Sequence, residues 1–315
     1  MGMVIDVHVH LFGSIKFFPK VWWDELCAFK KAAMGLEAFT TWEAAFNQMG
    51  RPEALIADMD KAGVDKSVCL PLDYGVMCRQ EPEVSIWKAN EYVAEAQTKY
   101  PDRIIGWVGV DPLRGQEAIK LLEKAVKDWG LHGVKIYPST FSMDDPSIQA
   151  FMSKVNEYEL PVLLHMGSDP LPFIIKYGNP EVLDTLALWY PKMKMIAAHN
   201  ARGHDDLLAA IMWYKQGVVY SDLSALQYEL MKSPWHLTLQ LRYLMDKLPN
   251  AILMGTDWPF VKTPPFPTHE EWFNYIRSLN IPEALVKTMG MGLRNFTQEE
   301  KDLILGENAR KLLKL

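Results

Sequence analysis

The chain has little cysteine, no long unbroken apolar run and no concentration of charge of one sign. Only three of its 315 residues are cysteine, Cys27, Cys69 and Cys78. Their odd number and non-metal spacing exclude a disulfide-stapled framework and predict reduced thiols in a reducing compartment. The apolar start of the chain is short and broken by Asp6, His8 and His10, so it reads as neither a signal peptide nor a membrane span. Met1-Gly2 opens like a myristoylation site, yet Asp6 stands where Ser or Thr is required. The net charge is −6 with a pI near 5.8, and no window gathers Lys and Arg into a stripe that could neutralise a phosphate backbone. Neither nucleic acid nor membrane is expected as a partner, and the expected location is cytoplasmic.

What is present is an ordinary globular composition, 49% hydrophobic and 23% charged. At this length it makes either two ordinary domains or one large α/β barrel. Eight β-branched or apolar runs bounded by turn residues predict strands: Met3–His10, Lys66–Leu72, Ile104–Val110, Val134–Pro138, Pro161–His165, Lys194–His199, Gly217–Asp222 and Ala251–Asp257. Between them, Pro52–Ala62 repeats Leu55, Ile56 and Met59 on one face, and Gly115–Trp129 repeats Ile119, Leu122 and Val126. Helices are also predicted at Pro146–Tyr158, Asp205–Lys215, Pro234–Lys247 and His269–Ser278. Strand–helix alternation implies a parallel sheet, because parallel neighbours need a crossover. With no polar linker between the units, the expected fold is α/β, a single (β/α)8 TIM barrel over residues 1–315. Two segments exceed the minimal barrel. Residues 11–50 are rich in aromatics, among them Phe12, Trp22, Trp23, Trp42 and Phe46, and should fold over the barrel mouth as either substrate lid or extra core. Residues 281–315 predict further helices, Gln298–Ile304 and Glu307–Leu313, closing the side or bottom.

The chemistry gathers at strand ends. In Val7-His8-Val9-His10 the two imidazoles stand at i and i+2, so both face one side of the first strand at its C-terminal end. The fifth strand ends in His165, the sixth in His199 and the eighth in Asp257. Four of eight strands thus present His or Asp at the rim where barrel enzymes build their sites. Imidazoles with one carboxylate suit a borderline cation such as zinc, which lowers the pKa of bound water to about 7. His8, His10, His165 and Asp257 are the expected ligands, with Asp257 also carrying the proton and His199 polarising the electrophile or holding the water.

With these residues in view, the chain resembles the amidohydrolase superfamily of metal-dependent TIM-barrel enzymes. It is similar to the branch containing aminocarboxymuconate semialdehyde decarboxylase and predicted hydrolases, through residues 59–65 (MDKAGVD), 100–103 (YPDR) and 133–138 (GVKIYP). The resemblance implies hydrolysis, decarboxylation, lactonase or hydratase chemistry without choosing among them. In decarboxylases of this branch an Arg that binds the substrate carboxylate lies where Leu55 stands here; Arg51, one turn earlier, is either its substitute or a surface residue. In two-metal members a carboxylated Lys ends the fourth strand, which would make Lys135 a bridge with His165 and His199 on the second ion; one ion is the default. Arg202, His204 and Arg79 are candidates to grip an anionic group, and Tyr137, Tyr74 and Trp258 to wall a pocket for a planar substrate. The leading expectation is a hydrolase in which zinc-activated water attacks the carbonyl of a small amide, lactone or ester. The alternative is a non-oxidative decarboxylase of an aromatic or unsaturated acid. Plentiful tryptophan and methionine, 11 and 17 residues, permit a homo-oligomer face without locating one.

Overall fold

The computed structural model describes residues 2–167, 173–261, 265–289 and 292–315. Its strands are β1 (Ile5–His10), β2 (Lys66–Leu70), β3 (Ile104–Gly106), β4 (Val108–Gly109), β5 (Val134–Ile136), β6 (Val162–Leu164), β7 (Met195–Ala197), β8 (Val219–Asp222) and β9 (Ile252–Leu253). Every pairing is parallel, in the order β1-β2-β3 and β4 through β9. β3 and β4 are the single run expected at Ile104–Val110, divided at Trp107. The buried Trp107 ring lies where a side chain on Gly133 would have to go, so the ladder passes from β2 to β5 across this residue.

The barrel closes between the last run and the first. Val7 N donates to Met254 O at 2.9 Å, Asp257 N to His8 O at 2.9 Å and His10 N to Trp258 O at 2.7 Å. Buried Asp6 seals the seam, accepting from His8 N and Thr256 N at 3.1 Å each and from Thr256 Oγ1 at 2.6 Å. The fold is therefore the expected TIM barrel. Inward strand residues such as Val7, Val68, Leu163 and Ile196 fill its axis, and the alternate residues pack under the outer helices. That division follows from the period of two along each strand.

The aromatic segment forms two antiparallel-connected helices, α1 (Lys20–Met34) and α2 (Leu36–Met49), separated by Gly35 at φ +80°. Their inner faces, including Trp22, Phe39, Trp42 and Phe46, form a second apolar cluster with Tyr74 and Tyr137 from the strand-end loops. At the other end of the chain, Gln298–Asp302, a π-helical turn at Leu303–Glu307 and Asn308–Leu313 run as one helical stretch, where two separate helices were expected. Gly306 fits so closely on Met3 O that a Cβ would sit 1.8 Å from it. Leu312 and Leu313 pack onto the barrel axis. Among the described residues no helix is long and apolar enough to cross a membrane.

Candidate metal centre

Six titratable side chains from five strand ends meet at the C-terminal rim. The ligand atoms of His8, His199 and Asp257 lie within 4.8 Å of one another. His10 Nε2 is 3.1 Å from both His8 Nε2 and Asp257 Oδ1. His165 stands one imidazole further out, its Nδ1 3.2 Å from His199 Nε2 and its Nε2 3.0 Å from the Tyr137 hydroxyl. Lys135 points inward, with Nζ 3.3 Å from His8 Nε2.

The hydrogen bonds on the far side of each ring decide what the near side can do. His8 Nδ1 meets Asp222 Oδ2 at 2.9 Å, His10 Nδ1 meets Leu70 O at 3.0 Å and His199 Nδ1 meets Ser224 O at 3.1 Å. A carboxylate and two carbonyls only accept, so each Nδ1 carries the proton and each Nε2 presents a bare lone pair. Two such lone pairs 3.1 Å apart, on His8 and His10, repel unless positive charge sits against them, which the Lys135 ammonium, 3.3 Å from His8 Nε2, supplies in part. This tautomer pattern with outer acceptors is what an imidazole metal ligand needs. Electrostatics agree. Burial, then Lys135 and His10, hold His8 well below its ordinary value, and burial lowers His199 to about 4, so both rings are neutral. Burial acts to raise the Asp257 carboxyl, but the His10, His199 and His8 imidazoles around it bring it well below the usual carboxylate range, so it is a carboxylate.

Asp222, not singled out in the sequence, organises this centre. It ends β8, is fully buried, and accepts from His8 Nδ1, His199 N at 3.0 Å, Ser224 N at 2.9 Å and Ser224 Oγ. The signal was there: a carboxylate at a strand's C-terminal end is the same feature that marked Asp257. Backbone conformation is also special here. His199, Asn200 and Ala201 (φ 59°, 49° and 45°) and Asp257 (φ 61°) are left-handed, a conformation that costs non-glycine residues energy and persists where surrounding contacts demand it.

Above the cluster lies a cavity of about 360 Å³. Tyr137 stacks on His165 with ring centroids 3.9 Å apart, and Phe173 stacks on Tyr137 at 4.3 Å. Tyr74 also lines the cavity, and α1 contributes Trp22, Leu26, Phe29 and Lys30. Lys30 is buried; its ammonium donates to the Tyr228 hydroxyl at 2.9 Å and to Phe260 O at 3.2 Å. Arg202 lines the cavity as expected, beside Tyr228. Arg79, His204 and Trp258 do not line it. Arg79 is an exposed helix cap and His204 caps Asp205–Tyr214. Trp258 is core, its indole donating to Asp58 at 2.9 Å. Leu55 is fully buried on the inner face of the helix Pro52–Ala62, and Arg51 is an exposed residue at that helix's start, outside the cavity.

Residues 5–315 match the sequence profile of the family described as Amidohydrolase. The chain belongs to the amidohydrolase family. Its structural neighbours include 5-carboxyvanillate decarboxylase from Sphingomonas paucimobilis, at 16% identity and TM-score 0.67 over 99% of each chain. A dihydroxybenzoic acid decarboxylase from a Polaromonas species, with bound manganese and the inhibitor 2-nitroresorcinol, matches at 17% identity and TM-score 0.64, over 100% of this chain and 98% of that one. A 4-oxalomesaconate hydratase from Rhodopseudomonas palustris matches at 17% identity and TM-score 0.58, over 99% and 96%. This amidohydrolase is thus a metal-dependent enzyme with a His/His/Asp metal site, and its fold is shared with enzymes whose activities differ.

Proposed function

We propose that the chain is a metal-dependent, non-oxidative decarboxylase of a small aromatic carboxylic acid. The observation that carries this reading is the cavity over the cluster, which combines stacked aromatic walls with the cations of Lys30 and Arg202. Aromatic faces suit a planar ring, and an ammonium and a guanidinium suit its anionic substituents. The decarboxylases among the structural neighbours favour carbon–carbon cleavage over the hydrolysis expected from the sequence.

When bound, a divalent cation supplies Lewis-acid polarisation of substrate oxygens. His8, His199 and Asp257 would hold it, with His10 and His165 at its flanks. The imidazole-rich set suits zinc; the Polaromonas neighbour holds manganese, and metal analysis of the purified protein distinguishes them. One ion fits the single point on which the cluster converges; two ions, one lost in Lys135→Ala, would overturn that count.

Tyr137 and Phe173 orient the ring, Trp22 and Leu26 exclude water, and Lys30 and Arg202 bind the anionic end. Asp257 is more exposed to the cavity than the imidazoles it meets, with 17% of its side chain exposed while His8 is fully covered. As a carboxylate it takes a proton from an acidic group of the substrate. It returns that proton to the ring carbon as the bond to the carboxyl group breaks, the bonding pair stays on the ring and CO₂ leaves. Incubating metal-loaded enzyme with hydroxylated benzoic acids, and separately with lactones and amides, tests the proposal. CO₂ release from an aromatic acid supports it; turnover of lactones or amides with water addition and no CO₂ from any acid overturns it.

A further inference from the structure

A second cavity lies at the opposite end of the barrel from the metal centre. Its volume is about 800 Å³, against about 360 Å³ for the one above the cluster. The residues that line it fix its place. Lys66 opens β2, Ile104 opens β3, and Pro161 and Lys194 immediately precede β6 and β7. These are strand starts, so the cavity belongs to the N-terminal face, away from the rim that carries the imidazoles. Ile105, Tyr220, Leu312 and Leu313, which also pack at the barrel axis, give it an apolar floor. Tyr220 is half-buried, and its hydroxyl makes no hydrogen bond among the described residues.

Around that floor stand five lysines, Lys66, Lys192, Lys194, Lys311 and Lys314, and one acidic side chain, Glu159. In a chain of net charge −6 this reverses the overall sign. No sequence window shows it, because the lysines come from positions 66 to 314 and only the closed barrel gathers them. Among the described residues only Lys192 of the five is ion-paired, with Glu159 at 2.9 Å. Lys66 Nζ donates to Asp102 O at 2.8 Å and Lys194 Nζ to Gly217 O at 2.6 Å. A carbonyl positions an ammonium without neutralising it and leaves two N–H donors for another partner. Nearby acceptors are turned elsewhere: Asp65 accepts from Val4 N at 2.7 Å, Glu307 pairs with Arg310 at 2.9 Å, and Leu315 O accepts from Arg310 Nη1 at 3.3 Å. Like charges around one concavity focus a positive potential into it.

We propose that this cavity binds a small phosphorylated ligand of the nucleotide kind, a planar body carrying two or more phosphates. Its volume falls within the ~300–1,000 Å³ of small-molecule sites. The floor at Tyr220 suits a planar body. Lysines hold phosphate as point charges, which suits a flexible phosphate chain. A nucleic-acid strand fits poorly, because the lysines ring a hollow instead of tracking along a groove. The cations of the catalytic cavity, Lys30 and Arg202, lie at the other end of the strands, so mutation separates the two sites.

Calorimetric titration of the metal-loaded protein with ATP, inorganic tripolyphosphate and adenosine tests this. One ATP per chain is expected, bound more tightly than either fragment and more weakly as salt rises. Lys66→Gln/Lys194→Gln and Lys311→Gln/Lys314→Gln each remove two ammonium groups and should weaken ATP binding roughly tenfold. The second pair lies on exposed side chains, which keeps the test sound should the first disturb the strand starts. Lys30→Met should leave ATP binding unchanged. The proposal is overturned by an absence of saturable ATP binding up to millimolar concentration, or by binding that both double variants retain in full. Loss of ATP binding in Lys30→Met overturns it as well, because the ligand would then sit in the catalytic cavity. So does binding of tripolyphosphate or adenosine as tight as that of ATP.

Discussion

Asp222→Asn is the sharpest test of how the metal centre is built. In the native chain one carboxylate oxygen accepts His8 Nδ1 at 2.9 Å, and the other accepts His199 N and Ser224 N at 3.0 and 2.9 Å. The two backbone donors hold the amide oxygen of an asparagine on their side, which turns its NH₂ toward His8 Nδ1. Two donors then face each other. The His8 Nδ1 proton then keeps only the Ser224 hydroxyl, 2.8 Å away, as an acceptor against the facing NH₂, which drives the proton toward Nε2 and removes the lone pair offered to the ion. The lost interaction is a charge-assisted hydrogen bond of about 1.5–3 kcal/mol. At about 1.4 kcal/mol per decade this is roughly a 10- to 100-fold loss of metal affinity, the range found when an outer partner of a ligating histidine is removed. Competition with a fluorescent chelator measures the affinity, and the melting temperature of the metal-free variant reports damage to the fold. Metal affinity within about twofold of wild type in a folded Asp222→Asn protein would refute the tautomer argument, because the Ser224 hydroxyl, 2.8 Å from His8 Nδ1, would then suffice to hold the proton there.

The remaining expectations concern the reaction, the substrate and the fold. Asp257→Asn should lower kcat by about 10²–10⁴, the usual worth of a positioned proton carrier; metal content measured in parallel separates lost proton transfer from lost metal. Lys30→Met keeps most of the side-chain volume but removes the ammonium, so KM for an anionic aromatic substrate should rise roughly tenfold with kcat little changed. Equal effects on a neutral analogue would show that Lys30 acts only through packing. Glu300 receives the Arg242 guanidinium as a two-pronged pair at 2.6 and 2.8 Å and is held at about 2, the Arg242 hydrogen bonds outweighing its burial. A folded value below the ordinary 4.5 means that this stabilisation is complete above about pH 4.5 and is lost as pH falls toward 2. It amounts to on the order of 3 kcal/mol. Glu300→Gln should lose that much stability at neutral pH and flatten the acid limb of a urea-unfolding series, and an unchanged acid limb would contradict the assignment.

Local pattern made the barrel legible. Pro52–Ala62 and Pro234–Lys247 have the bounds their periodicity predicts, and among the described residues the eight expected runs account for all nine strands once Trp107 divides the third. The helices at Ile86–Lys99 and Val182–Trp189 were not singled out, for opposite reasons. The first buries small residues, Ala89, Ala94 and Ala96, which signal weakly, and the second is apolar on both sides and so lacks a period.

The sequence by itself determined which strand ends carry imidazoles and carboxylates, because alternation along a strand and the start of the next turn are local properties. It also determined that these ends share one rim, since a parallel barrel puts every strand's C-terminal end on the same face. Only the tertiary structure decided which of them share a point. Barrel closure through Asp6 and Thr256 sets His8 beside Asp257, and the left-handed turn at His199 brings its ring to His8 while His165 turns to Tyr137. The same is true of residues far apart in the chain. Asp222 gains its role by lying behind the His8 ring and under the His199 backbone N–H, and Lys30 gains its place in the cavity because α1 folds back across the mouth. Trp258 goes into the core through a partner, Asp58, that lies 200 positions away. Such contacts depend on strand tilt and register around a closed sheet, which no local pattern encodes.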